Sequence, residues 1–524
     1  MATVVREVER KYDSAEGGTA ALDAVKTMTG TAGVAAVSQQ DEQLLDAVYY
    51  DTADLRLIGA GITLRRRTGG EDAGWHLKLP AGADTRDEIR LPLAAPGAAS
   101  GTAGGRAATP RARAGGAVPE ELAALVRAYT RGAALAPVVR IQTSRRVRRL
   151  LDGAGQALAE IAADHVSAEP ADGSAATSWD EIEAELVTGG PALLKAIDAH
   201  LRRAGARPAA ATKVQRALSS RVPAARATPE HPPLTRHSPA GEAVLAYVRD
   251  QVAAIWRYDP LVRRDEPDAV HQMRVATRRA RSALQAFGGI IDREATRPLC
   301  AELKWLAAAL GAARDGEVML DRLTADLAAI PPALVVGRVQ ARITDCFTAE
   351  LAEAGKTALA ALDGQRYLRL LDDLDALLAD PPLTALAERK AGKVLAKPVR
   401  RAARRLRRAL AAVPGAEDRD AAIHEARKAT KRARYAAEAA VPALGRTASR
   451  QAAQAKELQQ LLGDHHDSVV ARTVLLNLAQ KARAAGEDTF TYGLMHQRQA
   501  CQAATIEQAL PRFTATSRDR TTGH

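Results

Sequence analysis

The chain has 524 residues, enough for two or three domains with cores of their own, and a formal net charge of +12, which favours anionic partners. Its three cysteines, Cys300, Cys346 and Cys501, are too few and too scattered for a disulfide framework or a zinc site. Aromatic residues make up only 3% of it, which disfavours base-stacking binders of single-stranded nucleic acid, and no apolar run approaches the length of a membrane-spanning helix.

Residues 1–92 read as β. Charge recurs at Glu7, Glu9 and Lys11, and short strands are expected at Leu45–Asp51, Ile62–Thr68 and Trp75–Leu79, with Gly69-Gly70 as a hairpin signal between the last two. Residues 94–118, rich in Ala, Gly, Pro and Thr, read as a disordered loop, and a short helix is expected at Pro119–Tyr129. Strands resume at Val138–Asp152, Gln156–His165 and Ser178–Val187, before a helix at Pro191–Ala204 that ends at Gly205. Residues 219–239 hold five prolines and read as a linker, and from 240 to 512 the pattern is helical and alanine-rich. The expected domains are thus 1–218, a linker at 219–239, and 240–512, the last with an internal repeat at about 240–385 and 386–512.

Glu7, Glu9 and Lys11 alternate, so on a strand they share a face. Arg65 and Arg67 do likewise, as do Glu181, Glu183 and Glu185, while Lys78, Arg145, Asp164 and Lys213 add charge in or beside other strands. A barrel with these charges facing inward cannot be a dry core, because buried charge needs pairing or a ligand. It can be a tunnel in which acids hold a divalent cation and bases hold phosphates.

Glu-x-Glu-x-Lys at 7–11, Tyr49-Tyr50-Asp51-Thr52, Leu64-Arg-Arg-Arg67, Trp75-His-Leu-Lys78 and Glu181-Ile-Glu-Ala-Glu-Leu186 resemble the CYTH domain of the triphosphate tunnel metalloenzymes. The resemblance runs over about residues 1–218. It implies an eight-stranded antiparallel barrel whose lumen binds a triphosphate with Mg²⁺ or Mn²⁺, in a family of inorganic triphosphatases, thiamine triphosphatases and adenylate cyclases. It implies catalytic roles for Glu7, Glu9 and Lys11, metal ligation by Glu7 and Glu9 with help from Asp164, Glu183 or Glu185, and phosphate contacts from Lys11, Arg65, Arg67, Lys78, Arg145 and Lys213. The phases of Arg145 against Arg146 and of Glu181 against Glu185 stay open. No role is assigned to His76, and His165 is expected to be structural.

The helical half repeats itself. His271 is followed by Arg274, Arg278 and Arg281, and His424 by Arg427, Lys431 and Arg434, at the same spacings, which place each set on one helix face. A Leu-Gly-x-x-x-Asp follows each set, ending at Asp315 and Asp467, with Lys304 and Lys456 seven residues before the glycines. Asp315 and Asp467 are expected to brace nearby cations. Residues 390–408 offer a third basic helix. These stripes resemble the CHAD domain, over about 236–512, which implies an all-α duplicated bundle that binds inorganic polyphosphate. On that resemblance His271, Arg274, Arg278, Arg281, Lys304, His424, Arg427, Lys431, Arg434 and Lys456 form the polyphosphate set.

The expected whole is an α+β multidomain protein: a metal-dependent hydrolase of inorganic triphosphate with a polyphosphate-binding helical domain. The rival readings are a non-catalytic polyphosphate binder that targets granules and an adenylate cyclase. The cytoplasm, with polyphosphate granules as a place of association, is the expected location; a membrane and nucleic acid are not expected partners.

Overall fold

The computed structural model describes residues 3–14, 19–82, 84–93, 116–221 and 233–515. Most of the expected loop at 94–118, and residues 222–232 of the expected linker, lie outside them. The chain forms two compact units that divide between residues 230 and 231.

The first unit contains β1 (Thr3–Asp13), β2 (Ala36–Gln39), β3 (Gln43–Asp51), β4 (Thr63–Thr68), β5 (Gly74–Pro80), β6 (Thr85–Pro92), β7 (Ala136–Leu151), β8 (Ala157–Pro170), β9 (Thr177–Leu186) and β10 (Arg207–Ala209). Around them run α1 (Thr19–Lys26), α2 (Arg56–Gly59), α3 (Glu120–Leu125), α4 (Arg127–Thr130), α5 (Pro191–Arg203) and α6 (Lys213–Ala217). Eight antiparallel strands close in the order β1-β6-β5-β4-β3-β7-β8-β9, and β9 returns to pair with β1. β2 and β10 are short additions at β7 and β1. The eight-stranded barrel is therefore as the sequence predicts.

The barrel is built inside out. Because alternate side chains along β1, β4 and β9 are charged, their apolar partners face outward, where helices cover them. Tyr12, Ile161 and Ile182 pack with Leu22, Val25, Leu193 and Ile197 of α1 and α5, while Leu64, Leu77 and Ile89 pack with Leu57, Leu122 and Val126. Each fully buried side chain of this kind contributes about 1.5–3 kcal/mol, which offsets the cost of a charged interior. The turn after β4 needs its glycines: Gly69 and Gly70 both have positive φ, and a Cβ on Gly69 would sit 2.1 Å from the Leu44 carbonyl oxygen. Asp51 is fully buried and accepts from the backbone N–H groups of Thr52, Leu57 and Ile58, so it shapes the turn into α2.

The sequence reading missed β6 as a strand of its own. Thr85-Arg-Asp-Glu opens without the apolar alternation that marks a half-buried strand, because its lumen side is charged.

The second unit contains α7 (Ala240–Arg263), α8 (Ala269–Ala286), α9 (Arg293–Ala309), α10 (Gly311–Ala328), α11 (Val339–Asp363), α12 (Gln365–Ala379), α13 (Ala391–Val394), α14 (Ala396–Ala412), α15 (Arg419–Leu444), α16 (Arg446–Ala484), α17 (Phe490–Ala509) and α18 (Pro511–Ala515). Side-chain caps start two of them: Asp292 accepts from the N–H of Glu294 and Ala295, and Asp418 from that of Ala421. The duplication is visible where its halves begin. Ala240 and Gly241 donate to the carbonyls of Arg389 and Ala387, and Ala391 and Gly392, 151 positions on, donate to those of Ser238 and Arg236. Each half thus makes the same contact on the other, as across a two-fold axis. Arg236 and Ser238, inside the expected linker, belong to this contact. In the second half a single 39-residue helix, α16, stands where the first half breaks at Leu310-Gly311 into α9 and α10. Among the described residues, no helix is long and apolar enough to cross a membrane.

Candidate functional site

Register sets the lumen. Across neighbouring strands Glu7 faces Arg86, Lys11 faces Glu183, Lys78 faces Glu88 and Arg145 faces Asp164. The predicted lumen residues are brought together as one charged interior of about 320 Å³, lined by Glu7, Glu9, Lys11, Arg65, Arg67, Lys78, Arg145, Glu183, Glu185 and Lys213. Lys213 is the first residue of α6, and the capping box of Thr212 with Gln215 fixes where that helix starts and hence where the lysine enters.

Both open phases are resolved. Arg145 points inward and donates to Asp164 at 2.8 and 2.6 Å and to Glu183 at 2.5 Å, whereas Arg146 is exposed. Glu183 and Glu185 line the lumen, while Glu181 accepts from the Trp179 indole N–H and pairs with Lys213 at 2.6 Å.

Charge inside is closely matched. Lys213 Nζ lies 2.9 Å from Asp164 and 2.8 Å from Glu183, and Lys11 donates to Glu183 at 2.6 Å. Glu7 meets Lys78 at 2.5 Å and Arg90 at 3.2 Å; Glu9 meets Arg86 at 3.4 Å and Lys11 at 3.6 Å. Burial pushes the Glu183 carboxyl up, but Lys11, Lys213 and Arg145 outweigh it and hold the group well below its usual range.

Glu185 differs. On the sheet it stands opposite Glu9 on one side and Glu160 on the other. Like charges directly opposite destabilise a sheet. No ion pair to Glu185 is present among the described residues, and burial, Glu7, Glu9 and Glu183 outweigh the more distant charge of Lys78 and push its carboxyl up to about 7. Glu7, Glu9 and Glu185 line the same lumen, so carboxylates of the kind a divalent cation takes stand around the one acid that has no ion pair among the described residues. Among the described residues of the barrel, the carboxylates whose oxygens come within 4.8 Å of one another are Asp164, Glu181 and Glu183, which Arg145 and Lys213 already neutralise.

Sequence reasoning missed the acid and bases of β6. Glu88 is 1% exposed; it pairs with Arg90, lies 3.8 Å from both Lys78 and Arg65, and accepts from His76 at 3.0 Å. Those cations and the His76 hydrogen bond hold it far below its usual pKa against the opposing cost of burial. Arg86, Glu88 and Arg90 have the same i, i+2, i+4 spacing as Glu7, Glu9 and Lys11, and that periodicity was the available signal. His76, given no role from sequence, clamps Glu88 and the Asp72 carbonyl. His165 is exposed and paired with Asp180, in line with a structural place.

In the helical unit, α8 and α15 pack together and bring part of the two stripes into one seam. Burial, then Arg278, Arg427 and Arg274, push the Lys431 ammonium down to about 6. Burial and then Arg427 push His466 down to about 4, and its ring lies 5.1 Å from that of His424. Burial and the nearby Arg314 lower His271 as well. Asp315 braces Arg274 at 2.7 Å, as expected of it. Asp467 acts on Arg427 through its charge.

Four members of the predicted set stand differently. Arg434 donates to Glu438 at 2.7 Å, a carboxylate shared with Arg279 and Tyr247, so its charge is already matched. Arg281 neighbours Arg278 of its own stripe but also Cys300 and Arg432. Lys304 is exposed on α9, and Lys456 lines a separate groove between α14 and α16. Elsewhere, Asp420, His465 and Glu507 present possible ligand atoms close together, but Arg472 and Arg419 already pair with the two carboxylates.

The CYTH domain model matches residues 6–218, and the CHAD domain model matches residues 246–476. An uncharacterized protein of Mycobacterium tuberculosis is 40% identical over 521 residues, which cover 96% of this chain and 94% of that one. Among solved structures, PptA from Streptomyces chartreusis is 25% identical with a TM-score of 0.46, covering 53% of this chain and 99% of its own. The CHAD domain from the plant Ricinus communis is 27% identical with a TM-score of 0.44, covering 54% of this chain and 92% of its own. With both domain models matched in order, and the mycobacterial protein aligned along almost the whole length, the chain belongs to the CYTH and CHAD domain families, one in each of its two units.

Proposed function

We propose that the chain is a metal-dependent triphosphatase acting on inorganic triphosphate in the barrel, with inorganic polyphosphate bound along the α8–α15 seam. The observation that carries the first part is the divided lumen, in which Glu185 lies uncompensated among Glu7 and Glu9 while arginines and lysines line the rest.

Glu7, Glu9 and Glu185 would hold Mg²⁺ or Mn²⁺, with Glu88 and Glu183 beside them. The chemistry such a cation supplies is polarisation of a phosphoryl oxygen and orientation of water. Arg65, Arg67 and Lys78 from β4 and β5, and Lys11, Arg145 and Lys213 from the other side, bind phosphate oxygens. Fixed guanidinium groups suit this work, since their forked donors match phosphate geometry and stabilise charge on the transferred group. Each of these cations now pairs with a carboxylate, so a triphosphate enters by exchanging partners within a preformed charge lattice.

The seam supports the second part by the opposite logic. Arg274 and Arg278 disfavour the charged forms of Arg427 and Lys431, and a linear polyanion relieves that repulsion.

The test is a phosphate-release panel on the full chain with inorganic triphosphate, ATP, thiamine triphosphate and long-chain polyphosphate, each with Mg²⁺ and with Mn²⁺. Inorganic triphosphate should give the highest kcat/KM. Faster turnover of ATP, or none with any of the four, removes the assignment.

A further inference from the structure

The duplication places the same arginines in two different surroundings. Its register is fixed inside the helices: Thr277 of α8 and Thr430 of α15 are both fully buried, and each donates its hydroxyl to the carbonyl four residues back, that of Met273 and that of Ala426. α8 runs unbroken to Ala286 and α15 to Leu444, so the 153-residue offset of those threonines holds through the turns that follow. It matches Arg279 with Arg432, Arg281 with Arg434, Ser282 with Tyr435 and Gln285 with Glu438.

On one side these positions satisfy one another. Glu438 takes Arg434 at 2.7 Å, Arg279 at 3.1 Å and the hydroxyl of Tyr247 at 3.1 Å. The guanidinium groups of Arg279 and Arg434 lie 5.8 and 5.7 Å from the centre of the Tyr435 ring. Two arginines thus share one carboxylate and one flat ring, which joins charge-assisted hydrogen bonds to cation–π attraction.

On the other side the matching arginines, Arg432 and Arg281, have lost both partners. Gln285 stands where the carboxylate would be and Ser282 where the ring would be, and both line a cleft of about 470 Å³ bounded by α8, α9, α14 and α15. Arg432 lines it too, with Arg401 and Arg405 of α14, and Arg281 lies beside it, near Cys300 and Arg432. Among the described residues no ion pair reaches Arg281, Arg401, Arg405 or Arg432, and the buried Nε of Arg281 has no hydrogen-bond partner. The carboxylate among the described lining residues, Glu294, pairs with Arg297. Leu284, Pro398, Ala402 and Ala429 supply an apolar wall.

We propose that this cleft binds a small aromatic acid, a flat ring carrying two or more carboxylates. The ring takes the place that Tyr435 has on the other side, against Arg281 and Arg432, and one carboxylate takes the place of Glu438. A further carboxylate meets Arg401 and Arg405, because one negative charge does not compensate four unpaired cations. Guanidinium forks match carboxylates and stack on rings, and the cleft has the volume of a small-molecule site. Its lining includes none of the four seam cations Arg274, Arg278, Arg427 and Lys431, and the proposal rests on neither part of the proposed function.

The probe is trimesate, a benzene ring with three carboxylates, titrated into the full chain by calorimetry. The expected result is saturable one-to-one binding that also slows alkylation of Cys300, read by mass spectrometry, but not that of Cys346 or Cys501. Arg405→Gln combined with Arg432→Gln should weaken binding at least about tenfold. Should that variant fail to fold, Ser282→Tyr combined with Gln285→Glu installs the residues of the other half and should abolish binding by filling the cleft. Arg274→Gln combined with Arg427→Gln, in the seam, should leave trimesate binding unchanged. Absence of binding, binding indifferent to the cleft variants, or an equal loss in the seam variant overturns the proposal. So does displacement of trimesate by an equal concentration of citrate, because the ring then contributes nothing, or of inorganic triphosphate, because the cleft then takes any polyanion.

Discussion

In the barrel lumen nearly every cation has a carboxylate within reach, whereas along the α8–α15 seam cations face cations. Lys213 touches three carboxylates and its ammonium is held well above its usual pKa; Lys431 lies among three arginines and is pushed down to about 6. Both lysines are largely buried, so burial alone cannot explain the difference. On the function proposed here, what differs is the partner each region would admit. A lumen that positioned both a metal and a phosphate chain would need both signs of charge, fixed in register by the sheet. A seam that took a polyanion would need an excess of one sign, and its unrelieved repulsion would be part of the driving force for binding.

The largest effect that would sharpen this contrast comes from the lumen acids. Glu7→Gln with Glu9→Gln should lower kcat/KM for triphosphate by at least about 10³-fold, with the circular dichroism spectrum unchanged, since on the proposed function the pair holds the metal. Activity within tenfold of wild type would break the lumen side of the comparison.

Stability should respond with opposite signs to the same chemical change. Lys213→Met leaves Asp164, Glu181 and Glu183 short of a cation and should cost about 3 kcal/mol in denaturant unfolding of the barrel. Below pH 6, where its ammonium is charged, Lys431→Met removes a charge from a cationic neighbourhood and should stabilise the helical unit by roughly 1 kcal/mol. Equal signs for the two would dissolve the distinction.

Salt dependence gives a smaller reading. Arg274→Gln, Arg278→Gln and Arg427→Gln together should flatten the slope of log K against log salt for polyphosphate by about 0.7 per lost contact, a value borrowed from single-stranded nucleic acid. Arg434→Gln should change it little, because Glu438 already matches that charge.

The smallest effect is a proton. Lys431 faces Arg274 and Arg278 from α8, Arg427 on its own helix, and His466 and Asp467 from α16. Above pH 6 it is mostly neutral in the free protein, and a bound polyanion raises its pKa back toward 10.5, so binding takes up a proton between those values. Affinity should therefore rise as pH falls toward 6 and level off below it. Calorimetry at pH 7.5 in buffers of different ionisation enthalpy should read up to about one proton more for wild type than for Lys431→Met.

Much of this was legible in the sequence, for physical reasons that differ by element. The lumen face of β1, β4 and β9 was readable because charge recurs with the period of a strand, and the stripes of α8 and α15 because a duplicated helix keeps its register. β6 escaped because the search for strands leans on apolar alternation, and this strand alternates charge. The pairing of Arg434 with Glu438 depends on Arg279 and Tyr247 from other helices, which no local pattern encodes. The phase of Arg145 was open in the run Ser144-Arg-Arg-Val-Arg-Arg149 and was decided by the register with β8, which places Arg145 opposite Asp164.

The most direct test measures phosphate release from inorganic triphosphate by the full chain with Mg²⁺, and again after the metal is chelated. Wild type is compared with the Arg274→Gln, Arg278→Gln, Arg427→Gln variant. The account predicts release that vanishes on chelation, returns with added Mg²⁺ or Mn²⁺, and is undiminished when the seam is neutralised. Release that persists without metal, or that falls when the seam alone is changed, would contradict it.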